Sequence, residues 1–406
     1  MTDEPVVDLP LLRFIPFRKA DIVAMCLAEG RLTTQQEAQF GQAADKIEDH
    51  LQRDFLLVRQ RLKSAYAPMD PDADTRVLEE FRHTASPADL AAALEEVLER
   101  ANYDKVTAQA LLQALGASSL FQVRVTVDLD DFAEVLLFTR GASQREVVQR
   151  SFFGLRRRHS RFISFDRVLL YLRLKDDVDT ESAIGACQPG STLLKLFQNV
   201  PEADLEMLFP NIRVEMRMRD RLLIGIPAVI SGGLVVTTKL GGTLLLLGSL
   251  FGFWLGLSAE PVELDRATVL VLLTGAGALL AYLWKQFSKF RNRKLKYTQA
   301  LTENLYFKLL DNNAGVIYRL LEDAEESEGK ESLLAYYCLL AAGRPLTMAD
   351  LDGLIERWFA EKWQCKLDFD IGDALDKLLQ LGLVRQVNSS WQATTAEELP
   401  MEQEIA

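Results

Sequence analysis

The run Leu222-Leu-Ile-Gly-Ile-Pro-Ala-Val-Ile-Ser-Gly-Gly-Leu-Val-Val-Thr-Thr-Lys-Leu-Gly-Gly-Thr-Leu-Leu-Leu-Leu-Gly-Ser-Leu-Phe-Gly-Phe-Trp-Leu-Gly-Leu-Ser-Ala259 carries a single charge, Lys239. That lysine divides it into uncharged stretches of 17 and 20 residues, and a third of 18 runs from Ala267 to Trp284. Each approaches the ~20 apolar residues that a helix needs to cross a bilayer core. One straight helix from Leu222 to Leu257 is excluded, because at ~1.5 Å per residue it would reach about 54 Å.

The flanks suggest a topology. Arg213, Arg217, Arg219 and Arg221 precede the run, while Lys285, Lys289, Arg291, Arg293, Lys294 and Lys296 follow it. The connection Ser258–Arg266 holds Glu260, Glu263 and Asp265 against one arginine. Basic residues stay on the cytoplasmic side, so the expectation is a transmembrane hairpin, with both termini cytoplasmic, in the inner membrane of a bacterial cell. Its spans fall at 241–257 and 267–284, with 222–238, broken by Pro227 and Ser231-Gly-Gly233, as an interfacial or re-entrant piece. Three spans are the alternative. A helical hairpin buried in a protein core would be shorter and would mix in polar residues, so the lipid bilayer is the expected partner. Gly248, Gly252 and Gly256 recur every fourth residue, and Gly277 offers similar spacing with Ala281. Small ridges let helices approach closely in lipid, either within the hairpin or between copies in a homo-oligomer.

Around this segment the chain is ordinary in composition, with 406 residues, 49% hydrophobic and 26% charged. Lys plus Arg number 46 against 58 Asp plus Glu, a net charge of -12, which argues against a dedicated nucleic-acid binder. Four dispersed cysteines and three histidines suggest neither a disulfide scaffold nor a His-rich metal site, and no cofactor is expected. No Walker loop, GxSxG or HExxH constellation is present, so the chain reads as a non-enzyme with no catalytic or metal residue assigned.

Residues 1–220 read as an N-terminal cytoplasmic α+β region. Phe40, Ala44, Ile47, Leu51, Phe55, Val58 and Leu62 mark a long amphipathic helix between Thr33 and Ala67. Helices follow at Pro87–Ala101 and Asp104–Leu115, then strands near Phe121–Val127, Glu134–Thr139 and Val168–Leu174. The run Arg156, Arg157, Arg158 and Arg161 suits an anion or lipid headgroup, although a solvated turn is the commoner use of such a run. Residues 221–285 form the membrane segment and 286–342 a long helical connector. Glu322, Asp323, Glu325, Glu326 and Glu328 on that connector could be called a metal site, but nothing indicates converging ligands and they read as a solvated helix face. Asn199 and Asp204 before the membrane, with Asp311, Asn312 and Asn313 after it, could meet as a polar junction, or could serve only as helix caps.

Residues 343–406 read as an acidic module. From Thr298 onward there are 9 Lys plus Arg against 20 Asp plus Glu. The run Ala374-Leu-x-x-Leu-Leu-x-Leu-Gly-Leu-Val384 resembles the end of a winged-helix domain. Its third helix carries Asp373 and Asp376 with only Lys377, which phosphate would repel, so protein contact is the expected use. The fold class is thus α+β, mainly helical, with a small sheet, a transmembrane hairpin and a winged-helix-like end.

Four strings carry a family resemblance. They are Phe14-Ile-Pro-Phe-Arg18, Leu194-Lys-Leu-Phe-Gln-Asn-Val-Pro-Glu-Ala-Asp-Leu-Glu-Met-Leu-Phe-Pro210, Asn304-Leu-Tyr-Phe-Lys-Leu-Leu-Asp-Asn-Asn-Ala-Gly315 and Lys330-Glu-x-x-Leu-Ala-Tyr-Tyr337. Together they resemble the transmembrane protein 143-like family of bacteria and mitochondria. The resemblance implies a membrane protein with soluble regions around its membrane segment, and it brings no established activity. The functional expectation is a membrane-anchored scaffold or adaptor for proteins at the cytoplasmic face. A subunit of an oligomeric transporter or channel is the alternative, followed by a membrane-bound enzyme.

Overall fold

The longest amphipathic stripe folds as its spacing requires. Helix α2 (Thr34–Tyr66) buries Phe40, Ala43, Ile47, Leu51, Phe55, Val58, Leu62 and Tyr66 along one side, the three- and four-residue steps of a single helical face. Thr33 caps it in a reciprocal box with Gln36. The computed structural model describes residues 11–74, 86–107, 109–111, 124–151, 156–177, 188–215 and 305–394, with scattered residues between 266 and 303. They belong to two compact units. One comprises Met1–Ala117, Asp128–Asn211 and Lys308–Ala406, the other Ser118–Val127 and Ile212–Phe307.

In the first unit, α1 (Lys19–Ala28), α2 and α3 (Pro87–Arg100) pack with a central helix, α4 (Ala314–Ala342). Ser86 caps α3 with Pro87 in its first turn, a position where the missing N–H costs nothing. Helix α4 starts after Asn313 and stops at Gly343, whose φ of 61° is the left-handed terminator that glycine adopts freely. Every residue from Ser327 to Leu340 on α4 is buried, so this stretch is enclosed on all sides.

Beside the helices lies a five-stranded antiparallel sheet, ordered β1 (Asp104–Lys105), β3 (Phe132–Ser151), β4 (Arg156–Leu174), β5 (Thr192–Pro201), β7 (Leu309–Asn312). Val168 to Leu172 on β4 are fully buried, because both faces are covered. Leu169, Tyr171, Phe138, Leu194 and Leu196 share the core of the helices. Alternate residues point to the other face, where the 3-10 segment Glu202–Leu208 buries Leu205, Met207 and Leu208 and contacts β4 and β5.

The chain's end packs on α4. Helices α5 (Met348–Trp363) and α6 (Gly372–Gln380) are followed by a hairpin of β8 (Val384–Val387) and β9 (Ser390–Ala393). Leu346 makes an isolated antiparallel bridge to Trp391. Leu351, Ile355, Phe359, Leu375 and Leu378 join the same hydrophobic core as Tyr336 and Tyr337 of α4. The N-terminal strap ties these parts together. Leu12 pairs in parallel with Leu367, Ile15 is buried, and Phe17 stacks on Phe359 at 5.9 Å.

In the second unit β2 (Arg124–Thr126) pairs antiparallel with β6 (Arg213–Glu215). Val269, Leu270, Leu273 and Trp284 are helical and exposed.

These observations correct the expected architecture. Among the described residues no helix is long and apolar enough to cross a membrane. A span needs ~20 consecutive apolar residues in one helix, whereas apolar composition alone fixes neither helix length nor continuity. The transmembrane hairpin therefore drops out of the fold class. The integral-membrane function, in both its anchored-scaffold and transporter or channel forms, and the inner-membrane placement drop out with it. Residues 222–238 and 241–257 lie outside the described residues, and 267–284 are described only in part. The described fold is a mixed helical and sheet one built on five antiparallel strands.

Candidate functional site

Two concentrations of charge stand out, one internal and one on the sheet. The internal one forms where α2, α3 and α6 meet the middle of α4. Arg100, at the end of α3, donates from Nε to Glu328 Oε1 at 2.5 Å and from Nη2 to Oε2 at 3.0 Å. The same guanidinium donates to Asp54 at 2.5 Å and lies 4.1 Å over the Phe55 ring. Lys377 of α6 approaches Glu328 Oε1 to 3.3 Å. Burial alone would lower the Arg100 pKa, but Glu328 and Asp54 outweigh it and raise the value, so the group stays charged.

One turn further along α4, Glu331 accepts from Asn102 Nδ2 at 2.8 Å. Asn102 has a φ of 60°, a left-handed conformation that asparagine tolerates. Its amide also donates to Ser327 at 2.8 Å. Burial pushes the Glu331 carboxyl up to about 7, with Asn102, Lys377 and Ser327 opposing the shift. Nearer the sheet, Arg140 pairs with Asp323 at 3.2 Å and lies over the rings of Phe14 and Tyr103. Lys330 donates to the Ile15 carbonyl at 3.3 Å and pairs with Glu326 at 2.9 Å. Of the acidic run of α4, Glu328 is turned inward, Asp323, Glu325 and Glu326 are half-buried and Glu322 is exposed. Glu328, read from sequence as part of a solvated face, is only 3% exposed. Sequence reasoning missed Arg100, Asn102 and Arg140 because no local pattern couples them to α4.

The second concentration lies on the β3–β4 ribbon. Strand β5 pairs with β4 only up to Ser164↔Pro201, and β1 pairs with β3 only at Phe138 and Thr139. The β3–β4 ladder continues to Ser151↔Arg156. Eight further residues of β4 thus extend past the last β5 pair, about 27 Å at ~3.4 Å per residue. Among the described residues no third strand joins this extension. The predicted anion contacts Arg156, Arg157, Arg158 and Arg161 are ladder residues of β4, not a turn. The register sets Arg150 opposite Arg157, Gln149 opposite Arg158 and Glu146 opposite Arg161. At the base, Arg145 donates to Asn199 Oδ1 at 2.6 Å and stands 4.0 Å from Asp166.

The remaining predicted residues are spread along the sheet. Asn313 accepts from the Leu194 amide at 3.2 Å, donates to Asp72 and adopts a φ of 48°. Asn312 and Asp311 pair with Lys195 and Leu196 through β7. Asp204 is buried and 3.8 Å from Lys308. Asn199 sits at the far end of β5 with Arg145, so the five residues occupy three separate places. Gly277 is helical, with open space where a Cβ would stand. Gly248, Gly252 and Gly256 lie outside the described residues.

Among the described residues no group of three His, Cys, Asp or Glu is arranged to hold a metal ion. Burial raises the thiol pKa values of Cys26 and Cys338, which makes both poor nucleophiles. An open groove of about 340 Å³ between α2 and α4 is lined by Leu56, Arg59, Tyr318 and Glu322 among others. Gln52 and Glu325 also line it, and its polar side chains stand on a groove that is open to solvent.

Residues 165–315 match a family model described as a protein of unknown function, DUF3754. The match takes in β5 and β7 with two of the four strings quoted above. No solved structure matches the chain.

Proposed function

We propose that this protein is a binding protein whose β3–β4 ribbon engages an acidic protein surface. The observation that carries this reading is the ladder past Ser164, which holds Arg145 at its base and Arg150, Arg156, Arg157, Arg158 and Arg161 beyond it, with Glu146 as the one carboxylate. A few charges on an exposed strand are enough to prevent edge-to-edge pairing. The five arginines beyond the base exceed that need, and Arg150 directly opposite Arg157 works against the hairpin's own stability. Guanidinium groups pair with carboxylates through two parallel N–H bonds, so a carboxylate-rich partner would offset the repulsion.

The test is fluorescence anisotropy with a labelled polyglutamate peptide. The chain is expected to bind it at low salt and to weaken steeply as screening rises. The triple variant R156S/R157S/R158S is expected to bind at least tenfold more weakly, with unchanged circular dichroism. Equal binding by variant and parent overturns the proposal.

A further inference from the structure

We infer that the acidic surface taken by the ribbon belongs to a second copy of this chain, on the module built from α5 and α6. The inference rests on the ribbon-binding reading above and adds the identity of the partner.

The complementary charge lies within the same polypeptide. Asp352 and Glu356 lie on α5, Asp368 and Asp370 on the segment after it, and Asp373 and Asp376 on α6. Asp368, Asp370, Asp373 and Asp376 are exposed. Two of the module's own cations are engaged elsewhere, Lys362 with Glu29 at 2.6 Å and Lys377 with buried Glu328 at 3.3 Å. Arg13 stands near Asp368 and Asp370 but gives its hydrogen bond to Asp104 at 2.7 Å. The carboxylates crowd one another. Asp352 Oδ1 is buried without a hydrogen-bond partner. Its carboxyl is pushed up to about 6, first by burial and then by Glu356, Asp368 and Asp370. The module thus carries an excess of negative charge and the ribbon an excess of positive charge, in a chain whose net charge is -12.

The ribbon of one copy meets the module of another, either reciprocally in a closed two-fold dimer or head to tail in a ring or open chain. Long-range attraction of this kind is screened within about 8 Å at physiological ionic strength, so assembly is expected at low salt and dissociation at high salt.

The experiment is light scattering coupled to size-exclusion chromatography on the full chain and two charge reversals, R156E/R157E/R158E and D368K/D373K/D376K. The parent is expected to elute as oligomers at low salt and as monomer at high salt, and each reversal alone as monomer. An equimolar mixture restores both contacts, acidic ribbon to basic module and basic ribbon to acidic module, and is expected to assemble. Circular dichroism melting confirms that each variant is folded. A parent that stays monomeric while still binding polyglutamate overturns the second-copy partner and leaves the ribbon reading intact. A parent that ignores polyglutamate but binds duplex DNA or anionic vesicles through the ribbon arginines overturns both. Reversals that assemble as the parent does, or a mixture that stays monomeric, also overturn the inference.

Discussion

The middle of α4 and the ribbon of β3 and β4 are both dense in charge, but the two regions distribute it in opposite ways. Around α4 each cation meets an anion inside the fold: Arg100 with Glu328 and Asp54, Lys377 with Glu328, Lys330 with Glu326, and Arg140 with Asp323. Along the ribbon the register sets Arg150 against Arg157, Arg158 against Gln149 and Arg156 against Ser151, and the one complementary pair is Glu146 with Arg161. Buried charge that is paired fixes how helices pack, because removing one partner strands the other in a medium of low dielectric. Like charge on a two-stranded ribbon does nothing for packing and calls for an anion from outside.

The sharpest way to break this contrast is at Arg100. Arg100→Ala is expected to cost about 3–5 kcal/mol, since Glu328 would remain buried with Lys377 as its single cation. Urea unfolding measures it, and a loss under ~1 kcal/mol would show that the internal pairs do not hold the helices.

The next effect in size is pH-dependent and belongs to Glu331. Its folded pKa of about 7 lies above the ordinary 4.5, so between those values the folded chain keeps a proton that the unfolded chain has released. Stability from this group is complete below pH 4.5, falls as pH rises through that window, and is lost above about 7. The slope is at most ~1.4 kcal/mol per pH unit. Glu331→Gln carries no charge and keeps an acceptor for Asn102. It is expected to be up to ~3 kcal/mol more stable than the parent at pH 8 and equal to it at pH 4. Denaturant titrations at both pH values check this.

At the foot of the ribbon Gly141 has a φ of 67°, and an added Cβ would lie 2.5 Å from Asp166 Oδ2 and 2.8 Å from the Phe14 ring. Gly141→Ala is therefore expected to destabilise the chain by about 1–3 kcal/mol, measurable as a lowered melting temperature. The smallest effect is expected on the ribbon itself. Arg157→Thr removes the repulsion with Arg150 and supplies a β-branched residue, raising stability by ~0.2–1 kcal/mol.

What could be read from the sequence follows from how local each signal is. The apolar stripe of α2 lies within one helix and was legible. The reach of the sheet was not. Residues 156–163 of β4 look like a charged turn until their pairing with β3 is known, and pairing is a property of two distant segments. Glu328 looked solvated because its partner Arg100 is 228 positions away. The apolar run 222–259 has a composition that satisfies a bilayer; it lies outside the described residues, and none of the described helices is long and apolar enough to cross a membrane. Of the candidate site, the arginines of β4 were visible as a run of charge, but their presentation on a ribbon was not.

The contrast itself is tested most directly by measuring stability and polyglutamate affinity together on R156S/R157S/R158S. A folding free energy within ~0.5 kcal/mol of the parent, with binding reduced at least tenfold, is the predicted result. A loss of stability comparable to that of Arg100→Ala, with binding unchanged, would show that the ribbon arginines serve the fold and would contradict the account.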